Sequence, residues 1–327
     1  MTTSGWPITI ADVLQARTRI KERLHPTPLR SYAALDAEVG HDVRLFVKHE
    51  NHQPTQSFKV RNALSAMTML SPDEAQRGVV GATRGNHGAG LAWAGQILRI
   101  PVTICVPKGN SAEKNEAMRG LGATLIEKGN DYDAAVKVAD KLVQEQGMTL
   151  VHSTNNRRVI AGAATMALEM IAQQPMLDAL VLAVGGGSQA VGALTVARAM
   201  RPGMEIYAVQ AAEASAMHDS WHAKDRLVSP SANTFADGLA TRGTYDMTYG
   251  PLMEGLSGFV KVTEAEIAEA LRMYLRTTHN LAEGAAAAGL AGVLKLRETL
   301  AGKSVGVCLS GGNIDSETLR RVLSKEL

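Results

Sequence analysis

Short apolar runs alternate with helical stretches along most of the chain, usually with a glycine-containing turn between the two. Gly78–Ala82 (GVVGA) precedes the turn Thr83–Gly88 and an apolar helix through Leu98. Val102–Val106 (VTICV) precedes Pro107-Lys108-Gly109 and a helix around Ala112–Leu121. Thr124–Ile126 precedes Gly129 and a helix over Tyr132–Gln146. Ala179–Val184 precedes Gly185-Gly186-Gly187 and a helix over Ala190–Met200, and Ile206–Val209 and Val305–Leu309 are two further strands. Apolar runs without alternation mark strands buried on both faces. The pattern therefore predicts an α/β fold of parallel sheets covered by helices on both faces. Ser71-Pro72-Asp73-Glu74 and Thr263-Glu264-Ala265-Glu266 each place Glu three residues after a hydroxyl, the pattern of a capping box at a helix start. The stretch from Trp221 to Pro251 is weak in period and rich in Gly, Ser, Asn and Asp, so it reads as a long ordered loop.

Composition narrows the class. With 327 residues, 45% hydrophobic and 20% charged, the chain can build one large core or two lobes. A net charge of +2, with Lys and Arg spread along the chain, argues against nucleic-acid and polybasic membrane partners. The two cysteines, Cys105 and Cys308, sit in apolar runs and are expected to be buried thiols suited to a reducing compartment. No cysteine pair has metal-ligand spacing and no HExxH occurs, so no metal is expected. The opening MTTSGWPITIADVLQAR lacks a basic start followed by an apolar stretch, and no signal peptide is expected. The uncharged run between Asp178 and Arg198 breaks at its glycine triplet and reads as strand, loop and helix, not as a membrane span. A cytoplasmic location is the expectation.

Four segments carry candidate chemistry. In Glu50–Ala63, a turn ends at Pro54, and Thr55 or Ser57 can cap the helix that follows. Lys59 then sits in the first helical turn, where the positive helix end favours a neutral amine able to form a Schiff base. Gly185-Gly186-Gly187-Ser188 joins a strand to a helix, and glycine backbone with a helix N-terminus makes an anion cradle fit for phosphate. A dinucleotide site would need GxGxxG and a later acid, but the third glycine, Gly192, comes one position late and Gln210 ends the next strand. A tight turn without ligand is the other reading. Thr83-Arg84-Gly85-Asn86-His87-Gly88 offers backbone N–H groups to a carboxylate, with Asn86 as donor and acceptor. Ser310-Gly311-Gly312-Asn313 places a hydroxyl at a strand's carboxyl end, where α/β folds bind ligands.

Lysine in a PTxSFK-like context, then GNHG, a triple glycine and SGGN, in that order, resembles the fold-type II pyridoxal-phosphate enzymes, in the branch of threonine/serine dehydratases and serine racemases. Pro26-Thr27-Pro28-Leu29, Lys48-His49-Glu50, Gly120–Ala123, Ala236–Ala240 and Glu283-Gly284-Ala285 extend the likeness over nearly the whole chain. The resemblance implies a tryptophan synthase β-like fold of two open twisted parallel-sheet lobes. Residues 1–70 and 152–327 would form the large cofactor domain, and 71–151 the small substrate domain. It implies pyridoxal 5'-phosphate on Lys59, with Phe58 beside the ring and Asn86 on its hydroxyl. Gly185, Gly186, Gly187 and Ser188 would hold the phosphate and Ser310 would face the ring nitrogen. Substrate contacts would come from Ser57, Thr83, Arg84, Gly85, His87 and Asp237. The implied reaction converts a 3-hydroxy amino acid to a 2-oxo acid and ammonia. Racemisation and β-replacement are the alternatives. A homodimer acting on a small amino acid is implied too.

The chain departs from that family at four points. Gln56 and Asn62 stand where glycine is usual around the lysine. Arg84 stands where serine or alanine is usual; it is a poor proton shuttle, which disfavours racemisation, but it can bind a second carboxylate. That points to substrates such as 3-hydroxyaspartate, with phenylserine as a bulkier option. The racemase-type cation site needs acidic ligands spaced ExxxxxD, and here Gln210 and Ala216 occupy those positions.

Overall fold

The computed structural model describes residues 5–130 and 132–327. The first four residues, part of the stretch read for a signal peptide, and Asp131 lie outside them. Ten strands form two sheets. They are β1 (Leu29–Ser31), β2 (Arg44–His49), β3 (Val79–Ala82), β4 (Val102–Val106), β5 (Thr124–Glu127), β6 (Thr149–Leu150), β7 (Ala179–Ala183), β8 (Glu205–Ala211), β9 (Gly258–Val262) and β10 (Ser304–Leu309). One sheet has the order β1-β2-β10-β7-β8-β9 and the other β5-β4-β3-β6. Every pairing is parallel except β1 with β2.

Successive side chains of a strand point to opposite faces, and here both faces find a core. In the larger sheet, Val181, Val209, Val305 and Val307 pack under the helices Glu264–Thr278 and Gly284–Leu296. Their neighbours Leu180, Leu182, Ile206 and Cys308 pack with the helices Arg157–Gln173 and Ser188–Met200. In the smaller sheet, Val79 and Ile104 face Leu91 of the helix Asn86–Leu98 and Val60 and Leu64 of the helix Lys59–Met67. Val80, Ala82 and Cys105 face Ala135 and Ala139 of the helix Tyr132–Gln146. This double covering is why the strands read as unbroken apolar runs, and it is the expected α/β class.

Both capping boxes form, at Ser71 and at Thr263. Both cysteines are free and buried. Among the described residues, no helix is long and apolar enough to cross a membrane. Two expectations need correction. Residues 221–251 are not one loop, because they contain the 3-10 turn Asp237–Leu239 and most of the helix Asp246–Gly255. Pro251 and glycines inside that helix disguised it. Nor does Thr55 or Ser57 form the N-cap of the lysine helix. Phe58 is the N-cap and makes no side-chain capping bond, while Ser57 Oγ only accepts the Lys59 N–H at 3.4 Å. The polar strand β2 (RLFVKH) was not predicted, since Arg44, Lys48 and His49 interrupt its apolar run.

Candidate active site

The backbone brings the lysine segment to the carboxyl end of β10. Ser57 pairs with Gly311, Phe58 N–H donates to Ser310 O at 3.0 Å, and Gly312 N–H donates to Gln56 O at 2.9 Å. Gln56 has φ +48°, a left-handed conformation that suits glycine better, which gives the unusual residue at this position a local cost of about 1 kcal/mol. Two helices clamp the start of the Lys59–Met67 helix. A Cβ on Gly90 would stand 2.9 Å from the Lys59 carbonyl, and one on Gly162 would stand 2.5 Å from the Arg61 carbonyl. Both contacts require glycine, so the backbone of Lys59 is fixed between elements of the two sheets.

Below this helix lies a buried ionic network. The Arg61 guanidinium donates to both oxygens of Glu50 at 2.7 and 2.9 Å and to both of Glu169 at 2.6 and 2.7 Å. Lys48 pairs with Glu169 at 2.7 Å, and Thr27 Oγ donates to Glu50 at 2.6 Å. Burial pushes the Glu50 carboxyl upward, but Arg61 outweighs it and holds the group below the usual carboxylate range. The network anchors the helix two residues after Lys59.

Lys59 itself faces a cavity of about 160 Å³ at the carboxyl ends of β3, β7 and β10. Its Nζ lies over the Phe58 ring, 4.8 Å from the centroid. Burial lowers its pKa to about 8, against an upward pull from Glu283. An appreciable fraction is therefore neutral amine near neutral pH, the form that attacks carbonyls and accepts protons.

Opposite elements supply the cradle. Gly185, Gly186, Gly187 and Ser188 line the same cavity after β7. A Cβ on Gly185 would meet Gly238 O at 2.2 Å, and one on Gly186 would meet Thr154 Oγ1 at 2.0 Å. Gly187, at φ +94°, is the N-cap of the helix that starts at Ser188, earlier than the expected Ala190. The first-turn N–H groups of that helix have no partners within it and lie at its positive end. Thr248 Oγ1, from the helix hidden in the supposed loop, donates to Gly186 O at 2.7 Å and fixes the turn from behind. A Gly185→Ala variant is expected to push this turn aside and weaken pyridoxal-phosphate binding by roughly tenfold to a hundredfold, measured by absorbance titration of the apoprotein.

Thr83, Arg84, Gly85, Asn86 and His87, after β3, form a third side of the cavity. His87 is buried with its Nε2 against Val151 O at 2.7 Å, and burial, helped by Lys59, drops its pKa to about 3. It is a neutral ring. Arg84 is exposed at the mouth and, among the described residues, enters no ion pair. Asn86 Nδ2 donates to both Glu283 oxygens at 2.7 and 2.9 Å, and its Oδ1 accepts from Asn313 at 2.7 Å. Ser310 and Asp237 also line the cavity. Ser57, expected to touch substrate, is not on the cavity surface; it is fully buried behind Lys59, where its backbone pairs with Gly311. Reading the sequence missed the roles of Lys114, whose ammonium pairs with Asp237 across the cleft, and of Thr248. Lys114 lies in a polar helix without a motif to single it out, and Glu283 was visible only as part of EGA.

The donor set fits pyridoxal phosphate on structural grounds. A desolvated lysine faces a turn that admits only glycine and presents helix N–H groups to an anion. The fold and site together define a two-sheet α/β enzyme built to hold a phosphorylated aldehyde on a lysine. The comparisons agree: residues 20–311 match the family described as pyridoxal-phosphate dependent enzyme, and the chain belongs to it. It is 35% identical to L-threonine ammonia-lyase of Thermotoga maritima over 98% of this chain and 79% of that one. It is 30% identical to L-threo-3-hydroxyaspartate ammonia-lyase of Saccharomyces cerevisiae over 97% of this chain and 96% of that one. The structure of maize serine racemase superposes with a TM-score of 0.92, at 29% identity, covering 98% of each chain. The fold is therefore that of the fold-type II enzymes.

Proposed function

We propose that the protein is an ammonia-lyase that converts a 3-hydroxy amino acid to a 2-oxo acid and ammonia, with substrates bearing a second carboxylate preferred over threonine. The observation that carries this reading is the lysine of lowered pKa facing a glycine anion cradle in one cavity with the 83–87 turn. Both ammonia-lyases named above act by name on 3-hydroxy amino acids, and one of them, from Saccharomyces cerevisiae, on a substrate with a second carboxylate.

Gly185–Gly187 and Ser188 would hold the cofactor phosphate, Lys59 its aldehyde carbon, and Asn86, Phe58 and Ser310 would contact the ring. Pyridoxal phosphate, when bound, would supply an aldehyde for the substrate amine and an electron sink for negative charge at Cα. Lys59, displaced as a free amine, removes the Cα proton as general base. Backbone N–H groups of Thr83–His87 bind the α-carboxylate. Ser310 is a neutral hydroxyl at the place that would face the cofactor ring nitrogen, so no carboxylate there would favour a proton on that nitrogen. Arg84, without an ion pair among the described residues, offers a bidentate site to a side-chain carboxylate at the mouth. Asp237 holds Lys114 beside that site.

In this reading residues 1–70 and 152–327 are the cofactor domain and 71–151 the substrate domain, which accords with the division of strands between the two sheets. A homodimer in a reducing cytoplasm belongs to the same proposal, supported by the family likeness and the two buried free thiols. Racemisation is the second reading, favoured by the likeness to serine racemase.

A panel of threonine, serine, threo-3-hydroxyaspartate and phenylserine, followed by keto-acid release and by chiral analysis, separates these. Keto acid from hydroxyaspartate at the highest kcat/KM is expected. Inverted amino acid without keto acid would replace the lyase by the racemase. Arg84→Gln is expected to raise KM for hydroxyaspartate roughly tenfold to a hundredfold and to leave threonine within a fewfold. Equal effects on both substrates would remove the second-carboxylate preference.

A further inference from the structure

The chemistry above leaves one buried titratable group of the cavity without a role. Glu283 immediately precedes the helix Gly284–Leu296 and lies between Asn86 and Gly311. A Cβ on Gly311 would stand 2.6 Å from Glu283 Oε1, so the carboxyl requires glycine at that place. Its backbone N–H donates to Gly311 O at 3.0 Å, and both its oxygens accept from Asn86 Nδ2. The group is therefore held in one orientation from two sides.

Burial raises the Glu283 carboxyl to about 7; Asn86, Lys114 and Lys59 oppose that rise and Asp237 adds to it. In return, Glu283 is the carboxylate that pulls Lys59 upward. The other charged or titratable groups lining the cavity are Arg84 and His87 from the turn after β3, Tyr132, Tyr245 and Asp315 ahead of the last helix. His152, in the segment after β6, has its pKa lowered by burial and by Lys59, and its Nδ1 accepts from the Thr154 and Asn155 N–H groups. His87 stays neutral, and the Asp237 carboxylate is engaged by Lys114.

We propose that Glu283 is the proton-exchanging partner of Lys59. Its carboxylate takes up the proton that the Lys59 ammonium releases, and returns it when the amine must be charged again. In that step a Lys59 N–H bond breaks and a Glu283 O–H bond forms. The electron pair stays on nitrogen, and an ammonium–carboxylate pair becomes an amine–acid pair. Both groups line the same cavity, where the proton passes between them, and no oxidant or reductant is involved. The inference rests on the proposed role of Lys59 as an amine that alternates between charge states.

The sign of the pH effect follows from the raised carboxyl. The fold keeps a proton that the unfolded chain releases above about 4.5, so Glu283's contribution to stability is complete below that value and is lost as pH rises through about 7. Melting curves of apoprotein and Glu283→Gln from pH 5 to pH 9 read this directly. The wild type is expected to lose several degrees relative to the variant as pH rises from 5 to about 7, and to run parallel to it above. The visible spectrum of the holoprotein supplies a second readout, with a pH midpoint that Glu283→Gln removes. Asn86→Ala, which deletes the hydrogen bonds that lower the carboxyl, is expected to move both midpoints to higher pH. Unchanged midpoints in Glu283→Gln, or a downward move in Asn86→Ala, would overturn the assignment. The apoprotein titration does not depend on turnover. Keto-acid release with unaltered midpoints would defeat this inference alone, and a titrating Glu283 without keto-acid release would defeat the lyase alone.

Discussion

Keto-acid release by Lys59→Ala is expected to fall by about 10⁴-fold or more, while the protein stays folded. The size follows from the two roles combined in one atom. In the proposed mechanism the amine that holds the cofactor aldehyde is also the base that takes the Cα proton, and general-base catalysis alone contributes roughly 10² to 10⁴. The second half of the expectation follows from the surroundings of Nζ. Burial disfavours its charged form, so truncation removes a desolvated cation and relieves the fold. The apoprotein variant should melt at or above the wild-type temperature. A variant that keeps a tenth of the activity would show that another amine does the work.

Arg61→Met is expected to have the largest effect on stability. The side chain is fully buried, as is Glu50, and it bonds both oxygens of two carboxylates. Removing the cation leaves Glu50 buried beside Glu169, with only Lys48 and neutral donors for compensation. Breaking one side of a buried ionic network costs about 3–5 kcal/mol, a large share of the 5–15 kcal/mol typical of a whole domain. A melting temperature lower by roughly 10 °C is expected, with much of the protein insoluble on expression. Because the network sits two residues after Lys59, cofactor uptake should fail with it. Glu169→Gln, at the partly exposed end of the network, is expected to be milder. An Arg61→Met protein that melts within about 2 °C of wild type would show the network to be dispensable.

Much of this site was legible before the structure, for a definite physical reason. Glycines that a Cβ would force out of place, as at Gly185 and Gly186, and a lysine at a helix start leave marks in the sequence itself. So do strands buried on both faces, such as VLAV and VTICV. What stayed hidden was held together by distance along the chain. Glu283 meets Asn86 across 197 positions, and Lys114 meets Asp237 across 123. No local pattern encodes such pairs. The helix Asp246–Gly255 was hidden because proline and glycine within it mimic a loop, and β2 because its polar residues find buried partners only after folding. Ser57 shows the converse: a motif residue next to Lys59 can face away from the cavity, because successive residues entering a helix point in different directions.

The most direct test of the central claim is to reduce the holoprotein with borohydride, digest it and map the cofactor adduct by mass spectrometry. Two lysines line the cavity, Lys59 and Lys114, so the result discriminates. One adduct, on Lys59, is the expected outcome. An adduct on Lys114, or a colourless protein that takes up no pyridoxal phosphate, would contradict the account.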